Sequence, residues 1–161
     1  MKKIPWFIIY PLALSLILSS CAKNLRNDLS CRELGEHATN AIEGEFSPMG
    51  DEQLLLIFGE EAPYEDYAIF ASTPTEDIDE IGIFRAKDQA EAEKIAETLK
   101  EYVSETADGM RSFVMSYAPE EAKKLDTPEA FSVGNYAVYL ILDKNDREVI
   151  KERIEEYLSE K

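Results

Sequence analysis

The chain is poor in the residues on which metalloproteins and nucleophilic enzymes depend. Of its 161 residues one is histidine (His37), two are cysteine (Cys21 and Cys31) and one is tryptophan (Trp6). So few ligands exclude a His-rich or Cys-rich metal centre and any disulfide-dense scaffold. Basic residues are scarce too, 17 Lys and Arg against 33 Asp and Glu, and the formal net charge is −16. That balance excludes a nucleic-acid binder, because phosphate neutralisation needs clustered cations. No nucleophile elbow, phosphate-cradling glycine loop or His-Glu metal helix occurs, and no cofactor motif is found. What is present is apolar: 45% hydrophobic and 10% aromatic residues, enough for the core of one domain.

Residues 1–20 read as an address rather than as structure. Met1-Lys2-Lys3 is a basic start, and Ile4 to Leu18 is an apolar run broken by Pro5 and Pro11. A membrane span needs about 20 apolar residues, so this run suits a cleaved signal better than a permanent helix. Leu18-Ser19-Ser20-Cys21 resembles a bacterial lipobox. Cleavage between Ser20 and Cys21, with acylation of the Cys21 thiol, is therefore expected, placing the chain on the outer face of the cell membrane. The lipid bilayer is then its first partner. Removing residues 1–20 takes away Lys2 and Lys3 but no acid, so the mature chain is more acidic than the whole. With Cys21 acylated, Cys31 has no partner for a disulfide, and the six-residue spacing to His37 does not put both on one helical face.

Residues 21–29 read as the lipidated cysteine and a polar tether, and 30–161 as a single α+β domain. A helix is expected over about 30–42, with Leu34, Ala38 and Ile42 on one stripe. Asp51 can cap a short helix ending at Gly59. Strands are expected at 64–72, 80–86, 131–133 and 136–142, the last two joined by Gly134-Asn135. The stretch 136–142 carries no charge and reads as a central strand covered on both faces. Asp88 with Glu91 opens a long helix to about residue 117, its apolar stripe running Ala92, Ala96, Leu99, Val103, Thr106, Met110, Phe113, Tyr117. A last helix covers about 145–158. An offset of 55 residues aligns Asp88, Ile95 and Tyr102 with Asp143, Ile150 and Tyr157, a possible internal duplication in ββαββα order. The expected fold is a four-stranded, mainly antiparallel sheet with helices packed on one face.

Glu80-Ile81-Gly82-Ile83-Phe84, Lys87-Asp88, Tyr117-Ala118-Pro119-Glu120-Glu121 and Gly134-Asn135-Tyr136 follow one another after the lipobox. In this the chain resembles a family of small lipoproteins of Gram-positive bacteria known only as a domain of unknown function. The resemblance spans roughly residues 30–155. It implies a membrane-tethered extracytoplasmic domain and carries no activity, substrate or catalytic residue with it.

Asp77, Asp79, Gly82 and Asp88 fall at positions 1, 3, 6 and 12 of a calcium loop, but Ile81 to Phe84 reads as strand, and a loop cannot double as one. An acidic turn before a strand is the better reading, and no metal site is expected. No catalytic residue stands out. The residues expected on a ligand or partner surface are Arg111, in an acidic background, and Tyr117 and Tyr136, which flank turns. The expected function is non-catalytic binding or assembly at the cell envelope, with an unknown protein or small molecule as partner. A hydrolase using a carboxylate pair, or a divalent-ion or small-ligand binder, are the alternatives.

Overall fold

The computed structural model describes residues 25–73 and 77–159. The signal, the Ser20–Cys21 cleavage position and the lipidated cysteine lie outside the described residues, as does Glu76 of the acidic turn. Ser30 opens α1 (Cys31–Thr39), its hydroxyl accepting from the Glu33 N–H at 3.1 Å. Next come β1 (Phe46–Pro48) and α2 (Glu52–Phe58), the latter closed by Gly59 at φ +63°. Asp51 precedes α2 without capping it; its carboxylate accepts from the Tyr67 hydroxyl instead. β2 (Asp66–Ser72) and β3 (Glu80–Arg85) lead to α3 (Gln89–Tyr117), where Asp88 caps as expected, accepting from the Glu91 N–H at 2.9 Å. A 3-10 helix (Glu121–Asp126), β4 (Glu129–Val133), β5 (Tyr136–Ile141) and α4 (Lys144–Ser159) complete the chain.

The strands form one antiparallel sheet in the order β1-β2-β3-β5-β4. It has five strands where four were expected. The additional strand, β1, is three residues long and contains Pro48, a composition tolerated only at an edge because proline has no N–H to give the ladder.

The expectation that helices cover one face is also corrected: they cover both. Residues alternate along each strand, so Ile69, Phe84, Ala137, Tyr139 and Ile141 meet α2, α3 and the 3-10 helix. Ala68, Phe70, Ile81, Ile83, Tyr136, Val138, Leu140 and Leu142 meet α1 and α4 on the other side. Every residue of β5 is buried, which agrees with the doubly covered strand read from its lack of charge. Asp143 accepts from the N–H groups of Asn145 and Asp146 and so caps α4 much as Asp88 caps α3. The 55-residue echo goes no further, because α3 and α4 lie on opposite faces of the sheet.

The register defines two ends of the sheet. At the near end Asp66, Arg85, Tyr136 and Val133 are successive partners; at the far end lie Ala71, Glu80 and Ile141. The segment expected to be a free tether is docked on the near end from Leu25 onward. Leu25 lies against Gly134 and the Arg26 N–H donates to Leu158 O at 2.8 Å. Buried Leu29 has its carbonyl held by the Tyr136 hydroxyl at 2.9 Å and by Arg85 at 3.1 Å. Apolar Leu25 and Leu29, spaced through the polar stretch, give this segment its purchase on the core.

Candidate functional site

α3 outruns the sheet it covers. A 29-residue helix is about 43 Å long, whereas strands of six residues span about 20 Å. Its first half is sealed, with Ala92, Ala96, Leu99 and Val103 all buried. Met110 and Tyr117 stand about three and five whole turns beyond Leu99, at the far end of the sheet, where the buried side of the helix narrows to Ala107 and Val114. Met110 and Met115 are exposed, as are Phe113 at 66% and Tyr117 at 48%. The Phe113 and Tyr117 rings meet edge to face, centroids 4.9 Å apart.

Beneath Met110 and Tyr117 opens a cleft of about 250 Å³ at the far end, bounded also by Thr106, Leu125, Ala71, Ile78 and Ile141. Asp77, Asp79 and Glu80 line it. Glu80 begins β3 on the row of Gly82 and Phe84, the row that faces α3. Its Oε1 accepts from the Tyr139 hydroxyl at 2.5 Å and from the Tyr102 hydroxyl at 3.4 Å. Burial raises the Glu80 carboxyl above its ordinary value and the two phenols oppose that rise. The phenols respond in kind: Tyr139 is driven well above its ordinary value, and Tyr102 up to about 12, by burial and by the Glu80 charge. Gly82 is required here, since a Cβ on it would stand 2.0 Å from Tyr139 Cε1. The glycine lets the Tyr139 ring cross β3 and reach Glu80.

Asp77 and Asp79 join Glu121 of the 3-10 helix around one cation, the ammonium of Lys124. Nζ lies 2.7 Å from Asp77 Oδ1, 2.6 Å from Asp79 Oδ1 and 2.8 Å from Glu121 Oε2, and the lysine side chain is 12% exposed. The Asp79 contact is one of charge rather than an aligned hydrogen bond. Burial pushes the Asp79 carboxyl up to about 6, against the pull of Lys124. At Asp77 burial acts in the same sense, but the hydrogen bond from Lys124 and its charge help to outweigh it, and the group is held below its ordinary value. Lys124 is itself raised: burial opposes its charge, and three carboxylates overcome that. The three acids offer oxygens within 4.8 Å of one another, a spacing that would suit a divalent ion, yet the lysine ammonium already stands among them. The calcium-loop register is not assembled either, since Gly82 lies under Tyr139 and Asp88 caps α3.

Of the residues expected on a surface, Tyr117 lines the cleft and Arg111 lies beyond it. Arg111 pairs with Asp126 and donates to Leu125 O at 2.6 Å, in a groove separated from the cleft by Leu125. Tyr136 is a correction. It is fully buried at the near end with its hydroxyl committed to Leu29 O, so it belongs to the core and to no surface. Cys31 is the buried first residue of α1, and burial raises its thiol, so it is held protonated and unreactive. His37 stacks on Tyr157 at 3.8 Å. Sequence reading missed Glu80, Glu121 and Lys124. The signal for Glu80 was present, because a carboxylate sharing a strand row with Gly82 and Phe84 must face the core. Glu121 and Lys124, three apart, have the spacing of an ordinary helix-surface pair, which carries no signal of Asp77 and Asp79.

Fold and cleft together define a small α+β domain: an antiparallel sheet with helices on both faces. The family model for a domain of unknown function (DUF4358) matches residues 47–142, and the chain belongs to that family. The match runs from β1 to just past β5 and includes every residue of the cleft. No curated protein and no solved structure matches the chain.

Proposed function

We propose that the protein is a lipid-anchored binding module on the outer face of the cell membrane, held by acylated Cys21, with the far-end cleft as its docking seat. One observation carries the reading: the last turns of α3 expose Met110, Phe113 and Tyr117 directly above an acid-lined cleft. Such apolar residues left in water beside uneven charge mark a place where another surface is received. The partner that fits is an extracytoplasmic protein segment bearing a basic side chain next to an apolar one. The apolar group would cover the Phe113–Tyr117 ridge, and the basic group would sit at the mouth of the cleft, drawn by the excess of Asp77, Asp79, Glu80 and Glu121 over the single Lys124.

A photocrosslinking residue placed at 113 or 117 of the lipidated protein tests this in native membranes. A single adduct of defined mass from these positions, absent when the residue replaces His37, supports the seat. No adduct at 113 or 117 removes it. The anchor is tested separately, by labelled-lipid incorporation that should vanish in Cys21→Ala.

A hydrolase is the second reading, supported by two carboxylates in one cleft, Asp77 and Asp79, displaced in opposite directions. It is the weaker one, because both acids are turned to Lys124 rather than to open space. Hydrolysis of a chromogenic glycoside that disappears in Asp79→Asn while the fold persists would reverse this preference.

A further inference from the structure

We propose that Leu55 and Leu56 of α2 form a knob that rests in the bilayer and fixes how the anchored domain stands on it; this depends on the lipid-anchored reading above. α2 turns Leu54, Ile57 and Phe58 toward the core. It leaves Leu55 and Leu56 at 66% and 76% exposed, the most exposed leucines among the described residues.

The occupant follows from where the chain enters the fold. Leu25 is docked at the near end, against Gly134. Four peptide links separate it from Cys21, so an acylated Cys21 holds Leu25 within about 14 Å of the membrane surface. The last turn of α2 arrives at that same end. Phe58 packs on Phe84 with centroids 5.2 Å apart, one residue before β3 stops, and the Glu65 N–H donates to Arg85 O at 2.7 Å. The anchor and the leucine knob therefore share one end of the domain, on opposite faces of the sheet. The Phe113–Tyr117 ridge lies at the other.

Charge argues against free binding and in favour of anchored contact. Asp51, Glu52, Glu60 and Glu61 border the knob, so an anionic surface repels it. Two leucines alone hold weakly. Once the lipid anchor is inserted the contact is intramolecular, and its effective concentration no longer depends on diffusion. The acidic border also makes the contact selective: firmer on zwitterionic lipid, weaker on anionic lipid at low salt, and recovered as salt screens the border.

Trp6 is the chain's one tryptophan and is lost with the signal, which makes an introduced indole a clean depth probe. Lipidated Leu56→Trp, with Leu55→Trp as a second variant, would be placed in phosphatidylcholine vesicles with and without brominated acyl chains. Emission from either probe should be quenched on the order of twofold or more, as expected of a side chain within the acyl boundary. Emission from Phe113→Trp should not change. Unquenched probes at 55 and 56 on protein that floats with the vesicles would overturn the knob and leave the anchor standing. Equal quenching at 113 would overturn the orientation. Protein that fails to float would overturn the anchor and the knob with it.

Discussion

Asp79 shows how one side chain can be pulled two ways. It is nearly enclosed, touches a lysine ammonium, and still titrates at about 6 rather than at its ordinary 3.8, because lost hydration outweighs the single charge contact. A carboxyl that holds its proton more tightly in the folded chain adds stability below about 3.8 and loses it as pH rises through about 6. Over that window its contribution should fall by on the order of 3 kcal/mol. Asp77, held below its ordinary value, works in the opposite sense: its contribution is present above that value and is lost as pH falls through the folded one. The two windows meet at the ordinary carboxyl value, and because both groups share Lys124 a change at one is felt at the other. Urea midpoints for the wild type and Asp79→Asn between pH 4 and 7 should separate in the variant's favour as pH rises. A constant difference would mean that Asp79 does not titrate in this range.

Among the elements, α3 was both the best read from sequence and the most misleading. Its start at Asp88, its end at Tyr117 and the first half of its stripe, Ala92 to Val103, stand in the structure; beyond that the buried positions are Ala107 and Val114, while Met110, Phe113 and Tyr117 are exposed. What periodicity could not convey is that the stripe would lose its cover half-way, because that depends on the length of the strands beneath it. β1 escaped notice for a different reason. Phe-Ser-Pro has no alternating pattern, and it is a strand only because Phe70 to Ser72 of β2 stand opposite it. Within the second half of α3, Gly109 lacks the positive φ of Gly44, Gly59 and Gly134, and a Cβ there would meet nothing within 4 Å. Gly109→Ala should therefore stabilise the domain by about 0.5–1 kcal/mol, seen as a higher melting temperature. A lower one would show that the helix needs its weak point.

For the molecule as a whole, the boundary of the domain is set by two carbonyl contacts and two leucines that composition concealed. The stretch from Leu25 to Leu29 is polar enough to read as tether, yet the Leu29 carbonyl is the acceptor for a buried Tyr136 hydroxyl. A chain starting at Leu25 should unfold cooperatively. One starting at Ser30 should be weaker by on the order of 3 kcal/mol, having lost a buried leucine and left a buried donor without its partner. Equal urea midpoints would restore the tether reading. The cleft was the least visible part, since its acids come from β3, the turn before it and the 3-10 helix, which only tertiary structure brings together.

The pairing of β3 with β5 also dictates an order of events during synthesis or export. These neighbours at the middle of the sheet are separated in sequence by all of α3 and β4. Closing so long a loop is entropically costly and slow compared with forming local turns. A chain that emerges N-terminus first therefore has no sheet centre until residue 141 is clear of the ribosome or translocation pore. Until then Ile81, Ile83 and Phe84 of β3 have no strand on one side, and this is the segment from which chaperones have most to protect the nascent chain.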